Sequence, residues 1–273
     1  MGQKQSIGSW FKKLGRKALS LALDGAALVM ILGACGYLVV RAPEMHRQWL
    51  RHSVGERVYM IKGKMDGGGG TGFAFKAKSG VTYTVTNAHV CEGALTQSED
   101  KTSLLVVKGN GIAIPRKILE ISDSTDLCIL EGMPGVDGLE TGSAPGAGQQ
   151  LNAIGHPLLR PLTVSQGDVI AKQDMSIPDY IIQSQEQEAA CNKPKNEIKD
   201  LDLEFFGQPI HLRVCFTTIK GVYQTTARVL PGNSGSPVVD WKGDVVAVVF
   251  AMDQAGWGYF VSNEDLKTFL SKY

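Results

Sequence analysis

Beyond residue 56, apolar and polar positions alternate in short runs between turn signals: RVYMIK, TGFAF, VTYTVTN, SLLVV, LCIL, LNAIG, LTVSQGDVIA, GVYQTTA, SPVVD, DVVAVVFA and GYFVS. Runs this short, rich in β-branched and aromatic residues and bounded by Gly, Asn, Asp or Pro, predict many strands in a sandwich or barrel rather than βαβ units. Helical spacing appears only in the final SNEDLKTFLSKY, with Ser262 or Asn263 as N-cap and Leu266, Phe269 and Leu270 on one face. The pattern alone therefore predicts an all-β fold with a short C-terminal helix.

Two segments depart from this rhythm. Residues 172–220 are long, mixed in charge and contain one candidate strand, HLRVCF. A structureless loop of that size is unusual inside a domain, so a structured insertion is expected. The other departure is the start. Residues 1–17 carry Lys4, Lys12, Lys13, Arg16 and Lys17 and no acid, and residues 18–40 are apolar apart from Asp24. That length suits one membrane-spanning helix, which needs about 20 residues. Basic residues before it outnumber Arg41, Arg47 and Arg51 after it, which places the N-terminus in the cytoplasm and the rest on the extracytoplasmic side. A cleaved signal peptide, or a lipoprotein signal ending at Cys35, would leave YLVV near the new N-terminus, an awkward apolar start. The opening MGQKQS also fits a myristoylation pattern. Residues 41–56 read as a juxtamembrane helix or linker.

A chain of 273 residues is long enough for a sizeable core. Its net charge of +1, with no basic block beyond the first residues, argues against nucleic acid as a partner. Of the five cysteines, Cys35 lies in the apolar segment. The other four allow three pairings, or remain buried thiols. Cys191 with Cys215 would close the insertion, and Cys91 with Cys128 would join the surroundings of two candidate catalytic residues. No CxxC spacing is present, and no motif asks for a metal or other cofactor.

The candidate chemistry centres on PGNSGSPVVD, where Gly232 and Gly235 allow a tight turn around Ser234. A serine hydroxyl needs a neighbouring base to take its proton as it attacks. His46 and His52 lie near the membrane, His156 sits in a GHP turn and His211 in the insertion. His89, where VTYTVTN gives way to AHVCEG, is the best-placed base. An imidazole used this way needs a carboxylate to fix its tautomer. Asp126, at the start of the LCIL strand, suits that role better than Asp123 in the preceding loop.

The order His89, Asp126, Ser234, carried by TNAHV, DL and GNSGSP, resembles the trypsin-like serine peptidases. GGGGTGFAF, AIGHP with LTVSQGDVIA, and GDVVAVVFA with GYFVSNEDLKTFL are similar to the HtrA-type branch, and GNSGSP is also similar to glutamyl endopeptidases. The likeness covers about residues 57–171 and 222–273. It implies a chymotrypsin-like double β-barrel over 57–273, the first barrel spanning about 57–143 and the second about 144–273. It also implies a serine endopeptidase acting on protein or peptide substrates. Ser234 is then the nucleophile, His89 the acid/base, Asp126 its orienter, and the N–H groups of Gly232 and Ser234 the oxyanion hole.

The same likeness makes Val248, Val249, Phe250 and Ala251 the edge on which substrate lies, and puts Arg228 and Val229 by the specificity pocket. Arg228 facing that pocket would select an acidic residue; facing solvent, it would leave Val229, Val248 and Phe250 to favour an apolar one. Asn233 stands where digestive relatives carry an aspartate that pairs with a freed N-terminus, so activation by cleavage is not implied. No PDZ module is expected in a chain that stops at Tyr273. Homo-oligomers are common among HtrA-like proteins, an analogy of family alone. A protease-fold binding module is the competing reading, and an esterase a weaker one; the order of the triad disfavours α/β-hydrolases.

Overall fold

Thirteen strands are found among the residues described by the structure, a computed structural model, which are 37, 41–62, 69–95, 103–122, 124–192, 196–205 and 208–273. The expected membrane span at 18–40, apart from Tyr37, lies outside these residues, as do Cys35 and Asp123. Among the described residues no helix is long and apolar enough to cross a membrane. The chain divides into two units, Met1–Trp49 and Leu50–Tyr273. In the first, residues 41–49 begin a helix, α1 (41–53), in which Arg47 pairs with Glu44 at 2.7 Å and His46 stacks on Trp49.

In the second unit, β1 (Val58–Lys62), β2 (Gly69–Lys76), β3 (Thr82–Thr86), β4 (Ser103–Val107), β5 (Ala113–Ser122) and β6 (Leu127–Leu130) close a barrel in the order β1-β2-β3-β6-β5-β4. A second sheet follows: β7 (Gln150–Gly155), β8 (Thr163–Ile181), β9 (Asn196–Phe205), β10 (Gln208–Arg228), β11 (Pro237–Val239), β12 (Val245–Met252) and β13 (Trp257–Ser262). Its order is β13-β12-β11-β7-β8-β10-β9, and a further β13–β10 pairing returns six of these strands on themselves, leaving β9 outside the ring.

Period-two alternation is what sends one face of each strand inward. Tyr59, Ile61, Ala74, Leu104, Val106 and Leu130 fill the first barrel, and Leu151, Tyr223, Val238, Val246 and Phe260 the second. A third cluster, including Phe73, Val85, Ile129, Ile154, Val248 and Val261, is drawn from both and joins them. Burying each such large side chain contributes about 1.5–3 kcal/mol. The C-terminal helix α4 (Asn263–Phe269) forms as expected, with the Ser262 Oγ accepting the Asp265 N–H at 3.3 Å and Leu266 and Phe269 buried.

The helix at His89 was not expected. α2 (Ala88–Leu95) starts directly after β3 and carries His89. Its sequence, AHVCEGAL, interrupts good helix formers with His, Val, Cys and a glycine, so propensity gives only a mixed sign of it. It is held by Cys91, which forms a disulfide with Cys128 in β6.

The segment 172–220 is the continuation of β8 and β10 past the ring, with β9 added at the edge and α3 (Gln185–Cys191) between β8 and β9. The Ser184 Oγ caps α3 by accepting the Gln187 N–H at 3.2 Å, and Cys191 is bonded to Cys215. Closing a loop with a sequence separation of 24 is worth about 3 kcal/mol in the chain-entropy account. Replacing both Cys191 and Cys215 by serine is expected to expose 182–196 to limited proteolysis while the barrels keep their strand signal in circular dichroism; equal protease resistance would show that the crosslink does not hold the insertion.

Candidate active site

Asp126 is the pivot of the first barrel's contribution. It stands immediately before β6 at φ +49°, in the left-handed region that aspartate tolerates better than most residues and that must be enforced by its surroundings. The surroundings do this on four sides. Its carbonyl accepts the Asn87 side-chain N–H at 2.9 Å and the Ala88 N–H at 3.1 Å. Its Oδ1 accepts the His89 backbone N–H at 3.0 Å, and Oδ2 lies 2.8 Å from His89 Nδ1. The carboxylate thus caps the start of α2 and orients the imidazole in one gesture. An ionised carboxylate only accepts, so Nδ1 carries the proton and Nε2 keeps its lone pair. The His89 side chain is 46% exposed while that of Asp126 is 10% exposed, so the imidazole opens to solvent above a largely buried carboxylate. The Phe250 ring stands edge-on to the imidazole, 6.4 Å between centroids.

The other histidines are placed elsewhere. His156 is buried, its Nδ1 lies 2.9 Å from the Arg160 carbonyl, and burial pushes its imidazole below the usual histidine range. His211 is exposed on β10 against Asp202. Ser236, two residues after Ser234, is fully buried and so is out of reach of any substrate.

Residues 230–236 show how the loop carrying Ser234 is set. The Asn233 N–H donates to the Leu230 carbonyl at 3.0 Å, with Pro231 and Gly232 at the corner and Gly232 at φ +92°. That is the geometry of a type II turn, which favours Pro followed by Gly. Three successive carbonyls are then tied back. Pro231 O accepts from Leu158 N at 2.6 Å, Gly232 O from Thr71 Oγ1 at 2.7 Å, and Asn233 O from Ser236 N at 2.9 Å. In a trans peptide the N–H points opposite to the carbonyl. Anchoring Pro231 O and Asn233 O therefore directs the N–H groups of Gly232 and Ser234 away from their anchors, and among the described residues neither has an acceptor. Two unpaired, fixed donors flanking a half-buried serine can receive a developing oxyanion.

First and second barrels meet at this loop. The Ser234 carbonyl accepts the Thr71 N–H at 2.8 Å, and a Cβ on Gly70 would lie 2.7 Å from both that carbonyl and Val90 Cγ2, beside His89. Gly235, at φ +82°, has no room for a side chain, since a Cβ there would be 2.1 Å from the Thr71 carbonyl. His89 and Ser234 are thus neighbours of the same strand, β2, although no hydrogen bond joins them.

The expected substrate positions divide. Val249 has both backbone groups engaged, its N–H on Ser236 O and its carbonyl on Gly235 N, each at 2.9 Å. Val248 lies between Pro237 of β11 and Val261 of β13, where the pairing with β11 ends. The open edge of β12 therefore begins at Phe250 and continues through Ala251 and Met252, which pair only with β13. Val229 is buried, while Arg228 is exposed, opposite Trp257 of β13. Alternation along β10 sends Ala227 inward and Arg228 outward, and Val229, just past the end of the strand, is buried again.

Thr71, Leu158 and Leu159 were not anticipated. Leu158 and Leu159 both lie at φ +53°, which leucine adopts only under constraint, and no residue pattern announces it. Thr71 did leave a trace, as the one hydroxyl residue inside the glycine-rich GGGGTGFAF run.

Comparisons with known proteins give the family and the fold. The family model for the trypsin-like peptidase domain matches residues 70–248, about two thirds of the chain. The chain is 26% identical over 212 residues to the serine protease Do-like HtrA of Bacillus subtilis (strain 168), covering 74% of this chain and 38% of that relative's length. Among solved structures, the active form of the Rv3671c protease from M. tuberculosis superposes with a TM-score of 0.57 at 19% identity, over 82% of this chain and 83% of that one. The serine endoprotease from Yersinia pestis gives 0.55 at 17% identity, over 83% and 65%. These two likenesses carry the fold alone. With the family model spanning both halves of the site, from β2 to β12, the chain belongs to the trypsin-like peptidase domain family.

Proposed function

We propose that this chain is a serine endopeptidase, with Ser234 as nucleophile, His89 as general acid/base and Asp126 as its orienter. The observation that carries the reading is the pairing of a tautomer-fixed His89 with a nucleophile loop whose Gly232 and Ser234 N–H groups are fixed and unpaired. His89 Nε2 takes the Ser234 proton as Oγ attacks the scissile carbonyl. The two N–H groups receive the oxyanion, and His89 returns the proton to the leaving amine. Water then repeats the sequence to release the acyl group. An extended substrate adds to the open edge at Phe250–Met252 through main-chain hydrogen bonds. With Arg228 turned outward, the buried Val229 and the Phe250 ring favour an apolar residue before the scissile bond over an acidic one.

The proposal places the domain outside the cytoplasm, tethered by residues 18–40. Two disulfides support an oxidising compartment, since such bonds are rare in reducing ones.

A scaffold without constitutive catalysis is the second reading, and the missing hydrogen bond between His89 and Ser234 favours it. Incubating the full-length chain with a fluorophosphonate probe and mapping the adduct decides between them. Modification of Ser234 is expected; an unmodified, folded chain would leave the scaffold reading in place. Extraction of membranes at alkaline pH tests the tether, which predicts that the chain stays in the pellet.

A further inference from the structure

A glycine between two catalytic donors is a mechanical weakness. Gly232 separates the two N–H groups in the loop, and glycine rotates about φ and ψ with little steric penalty. Something outside the loop must fix it if both donors are to address one oxygen atom. The carbonyl of Gly232 is the handle by which this is done, and it is held by a side chain from the opposite barrel.

That side chain is Thr71, in β2, with no exposed surface. Every one of its polar groups is engaged. Its N–H holds the Ser234 carbonyl at 2.8 Å and its Oγ1 donates to the Gly232 carbonyl at 2.7 Å. The same Oγ1 accepts the His156 N–H at 3.0 Å, which leaves the hydroxyl proton for Gly232. The Thr71 carbonyl accepts the Thr86 hydroxyl at 2.7 Å, and Thr86 ends the strand that leads into His89. One residue therefore touches both sides of the reaction centre: the strand that delivers the base and the two carbonyls that bracket Asn233.

We propose that Thr71 is a positioning residue for the oxyanion-hole donors, its hydroxyl fixing the Gly232 peptide so that the N–H groups of Gly232 and Ser234 converge; this rests on the endopeptidase reading above. The role differs from plain core packing. Valine has nearly the same shape, but it neither donates to Gly232 nor accepts from His156. Packing would survive Thr71→Val, whereas the orientation of Gly232 would not.

The test uses the full-length protein and a fluorophosphonate probe, whose phosphonyl oxygen occupies the oxyanion position. The rate of Ser234 modification at saturating probe and the probe concentration at half-maximal rate are measured for wild type, Thr71→Val and Thr71→Ser. Thr71→Val is expected to lower the saturating rate by about tenfold or more, approaching the 10²–10³ lost when one oxyanion donor is removed outright. The half-saturating concentration should stay put, and Thr71→Ser, which keeps the hydroxyl, should restore the rate. A folded Thr71→Val protein that reacts as fast as wild type would overturn the positioning role and leave the endopeptidase reading intact. A wild-type protein that does not react at all would overturn that reading, and the positioning role with it. Should Thr71→Val not fold, a crystal structure of the wild-type phosphonyl adduct supplies the answer. Thr71 Oγ1 on Gly232 O, with both N–H groups on the phosphonyl oxygen, supports the role, and a hydroxyl turned away from Gly232 overturns it.

Discussion

Ser234→Ala is expected to abolish fluorophosphonate labelling and to lower the turnover of unfolded β-casein by about 10⁶-fold, the scale seen when a triad serine is removed. The whole covalent route depends on one oxygen atom, and the neighbouring hydroxyl cannot replace it. Ser236 is fully buried, and a Cβ on Gly155 would lie 1.9 Å from its Oγ, so no substrate reaches it. Ser236→Ala should accordingly keep its labelling. The residual rate of Ser234→Ala should still exceed that of water by about 10³–10⁴, because the donors at Gly232 and Ser234 are backbone groups and survive the substitution. Turnover by Ser234→Ala close to wild type would show that the hydrolysis comes from elsewhere in the chain.

Asp126→Asn should be the next most damaging change, lowering kcat by about 10⁴-fold with little effect on KM. Size and shape are nearly unchanged, and the carbonyl oxygen of the introduced amide could still accept the His89 backbone N–H. The difference lies at the second atom. An amide NH₂ in place of Oδ2, which lies 2.8 Å from His89 Nδ1, donates toward that nitrogen and forces the ring proton to Nε2. A protonated Nε2 cannot accept from Ser234. Ring-nitrogen chemical shifts of His89 in the two proteins check this directly, since they report which nitrogen carries the proton. An unchanged tautomer with a large rate loss would mean that Asp126 acts through something other than orientation.

Much of this site was legible in the sequence because each part depends on local chemistry. GNSGSP needs glycine at Gly232 and Gly235, whose φ values of +92° and +82° exclude most other residues. Asp126 could be read from the polar-to-apolar boundary at which it stands. Strands such as β4 were legible because burial alternates along them, and β6 and β12, buried on both faces for most of their length, as short apolar runs between turn signals. What escaped was non-local. The helix at His89 is specified less by AHVCEGAL than by the cap from Asp126 and the bond from Cys91, both contacts across 37 residues. The direction of Arg228 depends on the register of β10 against β13, which contains a bulge between Gln224 and Arg228. Likewise Val248 and Val249 are closed to substrate only because β11 and the nucleophile loop cover them, a pairing that no run of valines discloses. The insertion was expected to be structured, but its ten-residue pairing of β9 with β10 was not.

The bond between Cys91 and Cys128 gives the two halves of the site unequal freedom. It ties the helix carrying His89 to the strand that begins beside Asp126, so these two residues sit on one welded piece. The loop carrying Ser234 has no such weld and is shaped by hydrogen bonds, those from Thr71, Leu158 and Ser236 among them. An on–off control acting on this molecule therefore has one inexpensive place to work. On the proposed mechanism, the half that would supply the proton is held by a covalent bond, and the half that would receive the negative charge is held by hydrogen bonds that can be undone one at a time.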